Sequence, residues 1–371
     1  MQNNISITGE RGGELSNVFD YLKWRGDLSF ANADFGEVDG LILSMLSYID
    51  FGLVCGGEST TLRLASQDYC PHGDYACVDY GLIIPGQNIN RAFCLGGASR
   101  RMGGIVISDF LALTDDGAGV QFAAVVYHID DGRAAVVFRG TDDSIAGWRE
   151  DLGLAYLDEI PAQRLATEFL ANVAEKYPEK RFFVVGHSKG GNLALYASVN
   201  CEERVSRRIV RVYCYDGPGI SRPMLESEKY RLLEGRIRVI LPQSSFFGVM
   251  FEKGENYTVV KSGGVGVFQH DPFTWELDGP CFERSAALSP TGKSNEERFR
   301  RKMESMTVDE RREAVEAIFS LIDSLGKKTL SELREGGGGI ALSLLRNYSS
   351  LDKHKKEMIR AFLLDRDPKE I

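Results

Sequence analysis

The stretch best suited to chemistry is Gly186-His187-Ser188-Lys189-Gly190, a G-x-S-x-G pattern in which Ser188 is a candidate nucleophile. An apolar run at 181–185 precedes it and predicts a buried strand, and the apolar run at 192–199 predicts a helix. Strand, sharp turn and helix in this order are typical of a nucleophile elbow, whose small residues let the strand and helix approach each other. The alternative is a glycine-rich turn without chemistry, of the kind that binds phosphate.

An elbow would place Ser188 at a helix N-terminus, where the backbone N–H of Lys189 is a candidate oxyanion donor. The serine also needs a histidine base, and the chain has five histidines, at positions 72, 128, 187, 270 and 354. We predict His270 as the base, because it lies in a loop after the last strand candidate. The side chain of His187 should point away from the serine, and His128 should pack within a strand. The alternative for His270 is a loop histidine bonded to a carbonyl group.

The surrounding pattern predicts an α/β-hydrolase fold with a mostly parallel central sheet, because strand and helix candidates alternate along the chain. The strand candidates lie at 120–130, 133–138, 181–185, 209–215, 236–242 and 257–262. Asp130-Asp131-Gly132 predicts a tight turn that makes the first two of them antiparallel. A helix is predicted at 161–177 from the spacing of its apolar residues.

The chain divides into three expected regions. We expect an N-terminal helix and loop region at 1–115 that packs on or covers the core, the α/β-hydrolase core at 116–285, and a helical C-terminal region at 286–371. Four glycines at 336–339 predict a break between helices of this C-terminal appendage. Packing against the core or a partner is a better explanation of the appendage than a separate activity.

Charge and composition exclude several other functions. A net charge of -9 argues against general nucleic-acid binding, which needs a basic surface. No apolar run approaches the 18 to 20 residues of a membrane span, and the first residues lack the apolar segment of a secretory signal. The seven cysteines form no CxxC pair, so neither a zinc site nor a disulfide framework is predicted, and a reducing cytoplasm is the simplest setting. No metal or organic cofactor is required.

Two longer stretches carry a resemblance to a known family. VVFRGTDDSIAGWREDL (136–152) and GHSKGGNLALYAS (186–198) resemble class 3 lipases, whose Phe-Arg-Gly-Ser/Thr element precedes a Trp and an Asp-Leu pair. The resemblance implies that Thr141 completes the oxyanion hole; the alternative is a threonine that caps a helix. Together with YDGPGIS, LPQSSFFG and QHDPFTW, these stretches resemble the Mbeg-like group of uncharacterised bacterial α/β-hydrolases, which implies a lipase-like esterase of open substrate.

The acid of the triad is where the sequence departs from class 3 lipases. Where those lipases carry the aspartate, this chain reads Leu241-Pro242-Gln243-Ser244-Ser245, without a carboxylate. We predict Asp216 instead, at the end of the preceding strand, where some α/β-hydrolases place the acid. Asp271, beside the base, is a poorer candidate. A further alternative is that Ser244 or Ser245 merely hydrogen-bonds the imidazole.

The predicted function is that of a serine hydrolase of the lipase or esterase type, acting on small or lipid-like carboxylic esters. The apolar run at 246–251 would line an acyl pocket, form a lid or belong to the core. Contact with a lipid surface stays open, and the oligomeric state is not predicted. Two alternatives also stay open: another acyl-transfer enzyme (thioesterase, peptidase or acyltransferase), and a non-catalytic binding protein on a hydrolase fold, which the missing carboxylate favours.

Overall fold

The computed structural model describes residues 16–56, 58–69 and 83–363. The interpretations that concern residues 1–15, His72 and the cysteines at 70 and 77 lie outside the described residues. The described strands are β1 (Thr60–Thr61), β2 (Val106–Asp115), β3 (Val120–His128), β4 (Arg133–Phe138), β5 (Arg181–His187), β6 (Ile209–Tyr215), β7 (Ile237–Pro242), β8 (Thr258–Val260), β9 (Leu277–Asp278), β10 (Cys281–Phe282) and β11 (Arg284–Ser285).

The helices of the described residues fall into an N-terminal, a central and a C-terminal group. They are α1 (Val18–Trp24), α2 (Glu37–Leu46), α3 (Phe51–Cys55), α4 (Leu62–Tyr69), α5 (Gly86–Ala98), α6 (Ile145–Gly153), α7 (Pro161–Lys176), α8 (Lys189–Asn200), α9 (Glu203–Ser206), α10 (Arg222–Leu225), α11 (Glu228–Glu234), α12 (Pro290–Ser305), α13 (Val308–Asp323), α14 (Leu330–Glu335), α15 (Gly337–Ser350) and α16 (Lys353–Leu363).

One nine-stranded sheet, in the order β1-β2-β3-β4-β5-β6-β7-β8-β11, organises the molecule. Strands β4 to β8 are parallel, whereas β1 to β4 pair antiparallel and β11 joins β8 antiparallel. The turn predicted at 130–132 joins β3 and β4 as an antiparallel pair. This mixed sheet, in which helices join β4 to β5, β5 to β6 and β6 to β7, is an α/β-hydrolase fold. Strand β2 was missed, because its outer half is exposed and carries no continuous apolar run.

Both faces of the sheet are buried, by different parts of the chain. Because β4 to β8 are adjacent in sequential order, right-handed crossovers place the helices that join them on one face. On β5, Phe182 and Val184 face this layer, which contains α7, α8 and α11. The alternate residues Phe183 and Val185 face a second layer, which α1 to α5 supply together with the segment 273–282. The N-terminal helices therefore complete the core.

The C-terminal helices attach beside α6. Ile145 of α6 packs with Val315 and Phe319 of α13, and its backbone N–H donates to the carbonyl of Lys328 at 2.8 Å. The break predicted at 336–339 is wrong in part, because α15 begins inside the glycine run. Helix α15 lies against α13, although the glycines at its start are exposed. The boundaries of the three regions stay a prediction.

Two further observations concern the setting of the chain. Among the described residues, no helix is long and apolar enough to cross a membrane. Cys94 on α5 is disulfide-bonded, whereas the cysteine spacing had predicted no disulfide framework, and Cys201, Cys214 and Cys281 are free thiols. Disulfides are uncommon in reducing compartments. The cysteines therefore no longer favour the cytoplasmic setting that was predicted from their spacing.

Candidate active site

Ser188 occupies a strained turn between β5 and α8. Its backbone angles are φ 58° and ψ −133°, a conformation that a non-glycine residue rarely adopts. A Cβ atom on Gly186 would overlap the carbonyl group of Gly190, and a Cβ atom on Gly190 would overlap the carbonyl oxygen of Phe138. The spacing of the two glycines around Ser188 therefore has a steric cause. The backbone at the start of α8 touches the backbone of β5 at Gly186 and the backbone of β4 at Phe138.

The structure brings Asp216 and His270 into direct contact. In the parallel pair β5 and β6, His187 lies opposite Tyr215, so the next residues, Ser188 and Asp216, leave the sheet at the same edge. Asp216 is fully buried, and its Oδ2 lies 2.6 Å from Nδ1 of His270. Its backbone φ of 44° is a second strained conformation at this edge. The catalytic roles of both residues stay predictions.

The segment after β7, which lacks the carboxylate, helps to fix Asp216. The Oδ1 atom of Asp216 accepts hydrogen bonds from the Ser245 hydroxyl and, at 3.1 Å, from the N–H of Gly248. In the described residues, neither Ser244 nor Ser245 hydrogen-bonds the imidazole of His270, and Ser244 contacts Ser289 instead. The segment therefore contributes donors that hold the buried carboxylate rather than an acid of its own.

His270 is held in place by its neighbours as well as by Asp216. The Nε2 atom of His187 donates to the carbonyl oxygen of His270 at 3.0 Å, and their ring centroids are 4.4 Å apart. Burial, and then the proximity of His270, keep the pKa of His187 well below its ordinary value, so this ring is neutral. On the other side, the Phe247 ring centroid lies 4.3 Å from that of His270. The sequence had predicted only that the side chain of His187 points away from the serine. It did not indicate that His187 hydrogen-bonds the carbonyl group of His270.

Ser188 Oγ has no hydrogen-bond partner within the described residues. Because Nδ1 of His270 is engaged with Asp216, Nε2 is the ring nitrogen left to accept a proton from the serine. Hydrogen bonds between a catalytic serine and its base often tighten only when substrate binds. The other described histidines have different partners: His128 bonds Ser108 and His354 pairs with Glu313.

Thr141 lies between β4 and α6, and its hydroxyl is already engaged. Oγ1 of Thr141 donates to Oδ2 of Asp151 at 2.5 Å. In the described part of the chain, the backbone N–H groups of Thr141 and Lys189 have no acceptor. The N–H of Lys189 also belongs to the first turn of α8, where the helix dipole favours negative charge. The two backbone N–H groups are therefore open to an acceptor, whereas the Thr141 hydroxyl already donates to Asp151; the oxyanion hole itself stays a prediction.

The side chain of Lys189 lies in a buried polar cluster that the sequence analysis missed. Its Nζ donates to the carbonyl oxygen and the Oε1 of Gln121, at 2.8 and 2.5 Å, and to Oε2 of Glu150 at 3.0 Å. Asp151 Oδ1 is 3.8 Å from the same ammonium. Burial raises the pKa of Asp151 to about 6, although Lys189 and the Thr141 hydroxyl act to lower it. Lys189 is the one charged residue of α8, and this was the available sequence signal, because a buried lysine must find carboxylates.

A cavity of about 330 Å³ opens next to Ser188. The apolar run at 246–251 contributes Phe246, Phe247, Met250 and Phe251 to its wall, whereas Val249 of the same run is buried in the core. Its role as an acyl pocket stays a prediction. Helix α12 contributes Phe299 and Met303, and α16 contributes Phe362. The C-terminal helices therefore form part of the cavity over the candidate nucleophile.

Comparison with known proteins gives one family and several distant structures. The model of the Mbeg1-like family matches residues 97–320. A Rhizomucor miehei lipase in its propeptide complex is 16% identical over 69% of this chain and 73% of that chain, with a TM-score of 0.39. Lipase II from Rhizopus niveus is 14% identical (67% and 88% covered, TM-score 0.35), and a triacylglycerol lipase from Penicillium expansum is 12% identical (50% and 84%, TM-score 0.30). No curated protein matches. Because these TM-scores are below 0.5, we assign the fold from the strand order of the sheet and the strained turn at Ser188, not from these structures.

Proposed function

Because the chain belongs to the Mbeg1-like family and has an α/β-hydrolase fold, we propose that it is a serine hydrolase of the lipase or esterase type. It hydrolyses carboxylic esters through an acyl-enzyme on Ser188. The observation that supports this best is the buried pair of Asp216 and His270, 2.6 Å apart, at the sheet edge where the strained Ser188 meets an apolar cavity.

In the proposed first step, Nε2 of His270 takes the proton of Ser188 as Oγ attacks the ester carbonyl. Asp216 stabilises the imidazolium that forms, because its ionised Oδ2 accepts a hydrogen bond from Nδ1–H. The N–H groups of Thr141 and Lys189 hold the negative oxygen of the tetrahedral intermediate. His270 then gives its proton to the leaving alcohol, and the acyl group stays on Ser188.

The second step releases the acid. Water loses a proton to Nε2 of His270 as it attacks the acyl carbonyl, and the same two N–H groups bind the second tetrahedral intermediate. Collapse returns the proton to Ser188. Asp271 takes no part in this scheme, because its carboxylate accepts from the N–H of Phe273 and does not touch the imidazole.

The size and lining of the cavity favour substrates that are esters of a single apolar acyl chain. Its volume of about 330 Å³ lies at the lower end of the range for small-molecule sites, and aromatic and aliphatic side chains form most of its wall. A chain lying against Phe247, Phe299 and Met303 would have its ester group beside Ser188. Burial of each methylene contributes about 0.8 kcal/mol, so affinity should rise with chain length until the cavity is full.

A fluorophosphonate probe tests the proposal, because it reacts covalently only with an activated serine. We expect labelling of the wild-type protein, none of Ser188→Ala, and strongly reduced labelling of His270→Ala. Ser198→Ala is the matched control: this serine is buried in α8, the helix that follows Ser188, and its hydroxyl has no partner among the described residues. Absence of labelling in the wild type, or labelling of Ser188→Ala, contradicts the proposed function. Parallel assays with p-nitrophenyl esters, acyl thioesters and peptides distinguish an esterase from the other acyl-transfer enzymes.

A further inference from the structure

We infer that the side chain of Lys189 is a positioning residue, which ties together the two halves of the proposed oxyanion hole. One half is the backbone N–H of Lys189 itself, at the start of α8. The other half is Thr141, between β4 and α6. The inference rests on the proposed function and extends it to a side chain that touches neither the substrate nor Ser188.

The ammonium of Lys189 anchors the first turn of α8 to two other elements. Gln121 on β3 accepts through its carbonyl oxygen at 2.8 Å and through Oε1 at 2.5 Å, and Glu150 on α6 accepts at 3.0 Å. All three N–H donors of the ammonium are therefore used. Glu150 is itself fixed, since it accepts the backbone N–H groups of Gln121 and Ala162 at 3.1 and 2.8 Å. The start of α8 is thus held against β3 and α6 by a rigid set of bonds.

The same ammonium acts on Thr141 through Asp151. Oδ1 of Asp151 has no hydrogen-bond partner among the described residues and lies 3.8 Å from Nζ, while Oδ2 holds the Thr141 hydroxyl. The side chain of Lys189 therefore lies between Glu150 and Asp151, the two carboxylates beneath the site. Its positive charge offsets one of these two negative charges, which would otherwise oppose the negative oxygen of the intermediate more strongly.

A structural role alone does not require a charge at this position. Lys189 has a side-chain exposure of 1%, as does Glu150, and taking such a pair out of water is unfavourable unless every group is satisfied. Well-packed apolar residues of similar volume often replace buried ion pairs without loss of stability. The charged pair therefore points to a requirement of the site, namely a fixed distance between α8 and α6, rather than to one of the fold.

The test separates stability from activity by removing the charges one at a time and together. Lys189→Met leaves Glu150 without its counter-charge, so the melting temperature should fall. The double variant Lys189→Met/Glu150→Gln removes both charges of this pair but leaves that of Asp151, and its new amide faces a backbone N–H, so the melting temperature should recover in part while kcat for a p-nitrophenyl ester stays roughly 10- to 100-fold below wild type. KM should change less than about twofold, because the cluster acts on the intermediate rather than on substrate binding. Recovery of kcat together with the melting temperature would overturn the inference.

A milder variant keeps the inference testable if the double variant does not fold. Gln121→Met removes one acceptor of the ammonium and leaves both charges of the Lys189–Glu150 pair in place. We expect kcat to fall by roughly two- to tenfold with KM unchanged, and an unchanged kcat contradicts the positioning role. If the proposed function itself is wrong, the wild-type protein will show neither probe labelling nor ester turnover. This outcome differs from those that contradict only the role of Lys189.

Discussion

Replacing Asp216 by asparagine should abolish most of the turnover without disturbing the fold. The Oδ1 atom of an asparagine can still accept from the Ser245 hydroxyl and the N–H of Gly248, so the local structure keeps two of its three bonds. The NH₂ group would then face Nδ1 of His270 in place of Oδ2. An NH₂ donor forces Nδ1 to act as acceptor, so the ring proton moves to Nε2, the nitrogen that must take the proton of Ser188.

The expected loss follows from the distance between the two groups. Unit charges on Asp216 and His270 at 2.6 Å, with an effective dielectric constant of about 20, interact by about 6 kcal/mol. An asparagine provides none of this stabilisation to the imidazolium. Because about 1.4 kcal/mol corresponds to a tenfold change in rate, we expect kcat to fall by about 10⁴-fold.

Steady-state hydrolysis of a p-nitrophenyl ester measures the effect, and circular dichroism checks that the variant is folded. Asp271→Asn is the matched control, because Asp271 is the neighbouring buried carboxylate and, among the described residues, makes no hydrogen bond to the imidazole. Its kcat should stay within about twofold of wild type. If Asp216→Asn keeps kcat within tenfold of wild type, Asp216 is not the acid, and the argument from its contact with His270 is wrong.

Three other predictions follow from single contacts. Asp271→Asn should stabilise the protein at pH 8 by about 1–3 kcal/mol and have little effect at pH 4. Burial raises the pKa of Asp271 to about 6, so the stability that its protonated carboxyl group contributes is present below pH 4 and lost as the pH rises through 6. Melting temperatures of wild type and variant at both pH values measure this, and equal shifts would contradict it. Phe299→Ala should move the preferred acyl chain to a greater length, since it widens the cavity; an unchanged profile over a series of p-nitrophenyl esters would place the chain elsewhere. Gly190→Ala should lower the melting temperature and eliminate probe labelling, because its Cβ meets the carbonyl of Phe138; normal labelling would show that the elbow tolerates separation of strand and helix.

The elbow could be predicted from the sequence because its cause is local. The steric demands of Gly186 and Gly190 leave a short pattern, and the apolar runs on either side identify the strand and the helix. His270 and Asp216 needed the order of elements as well, since they meet only when β6 and the loop after β8 reach the same edge. The proximity of these residues is observed, whereas their catalytic roles stay predictions.

Other features of the site were beyond the reach of sequence patterns because they arise between distant segments. The contact between His187 and the carbonyl of His270 joins residues 83 positions apart. The bonds of the Lys189 ammonium reach Gln121, 68 positions away, and no spacing rule connects a lysine after an elbow with a glutamine on another strand. The cavity depends on where α12 and α16 lie, and a charged helical tail gives no indication of this.

The two-sided cover of the central sheet limits what can be cut from the chain. Expression of residues 116–285 alone would expose the face on which Phe183 and Val185 lie, because the helices that bury it precede residue 116. Such a fragment would present a large apolar surface and should aggregate. Removal of only the C-terminal region, residues 286–371, would keep the sheet intact but would remove Phe299 and Met303 from the cavity. A truncated protein that is inactive would therefore reveal nothing about Ser188, and screens for substrates require the full-length chain.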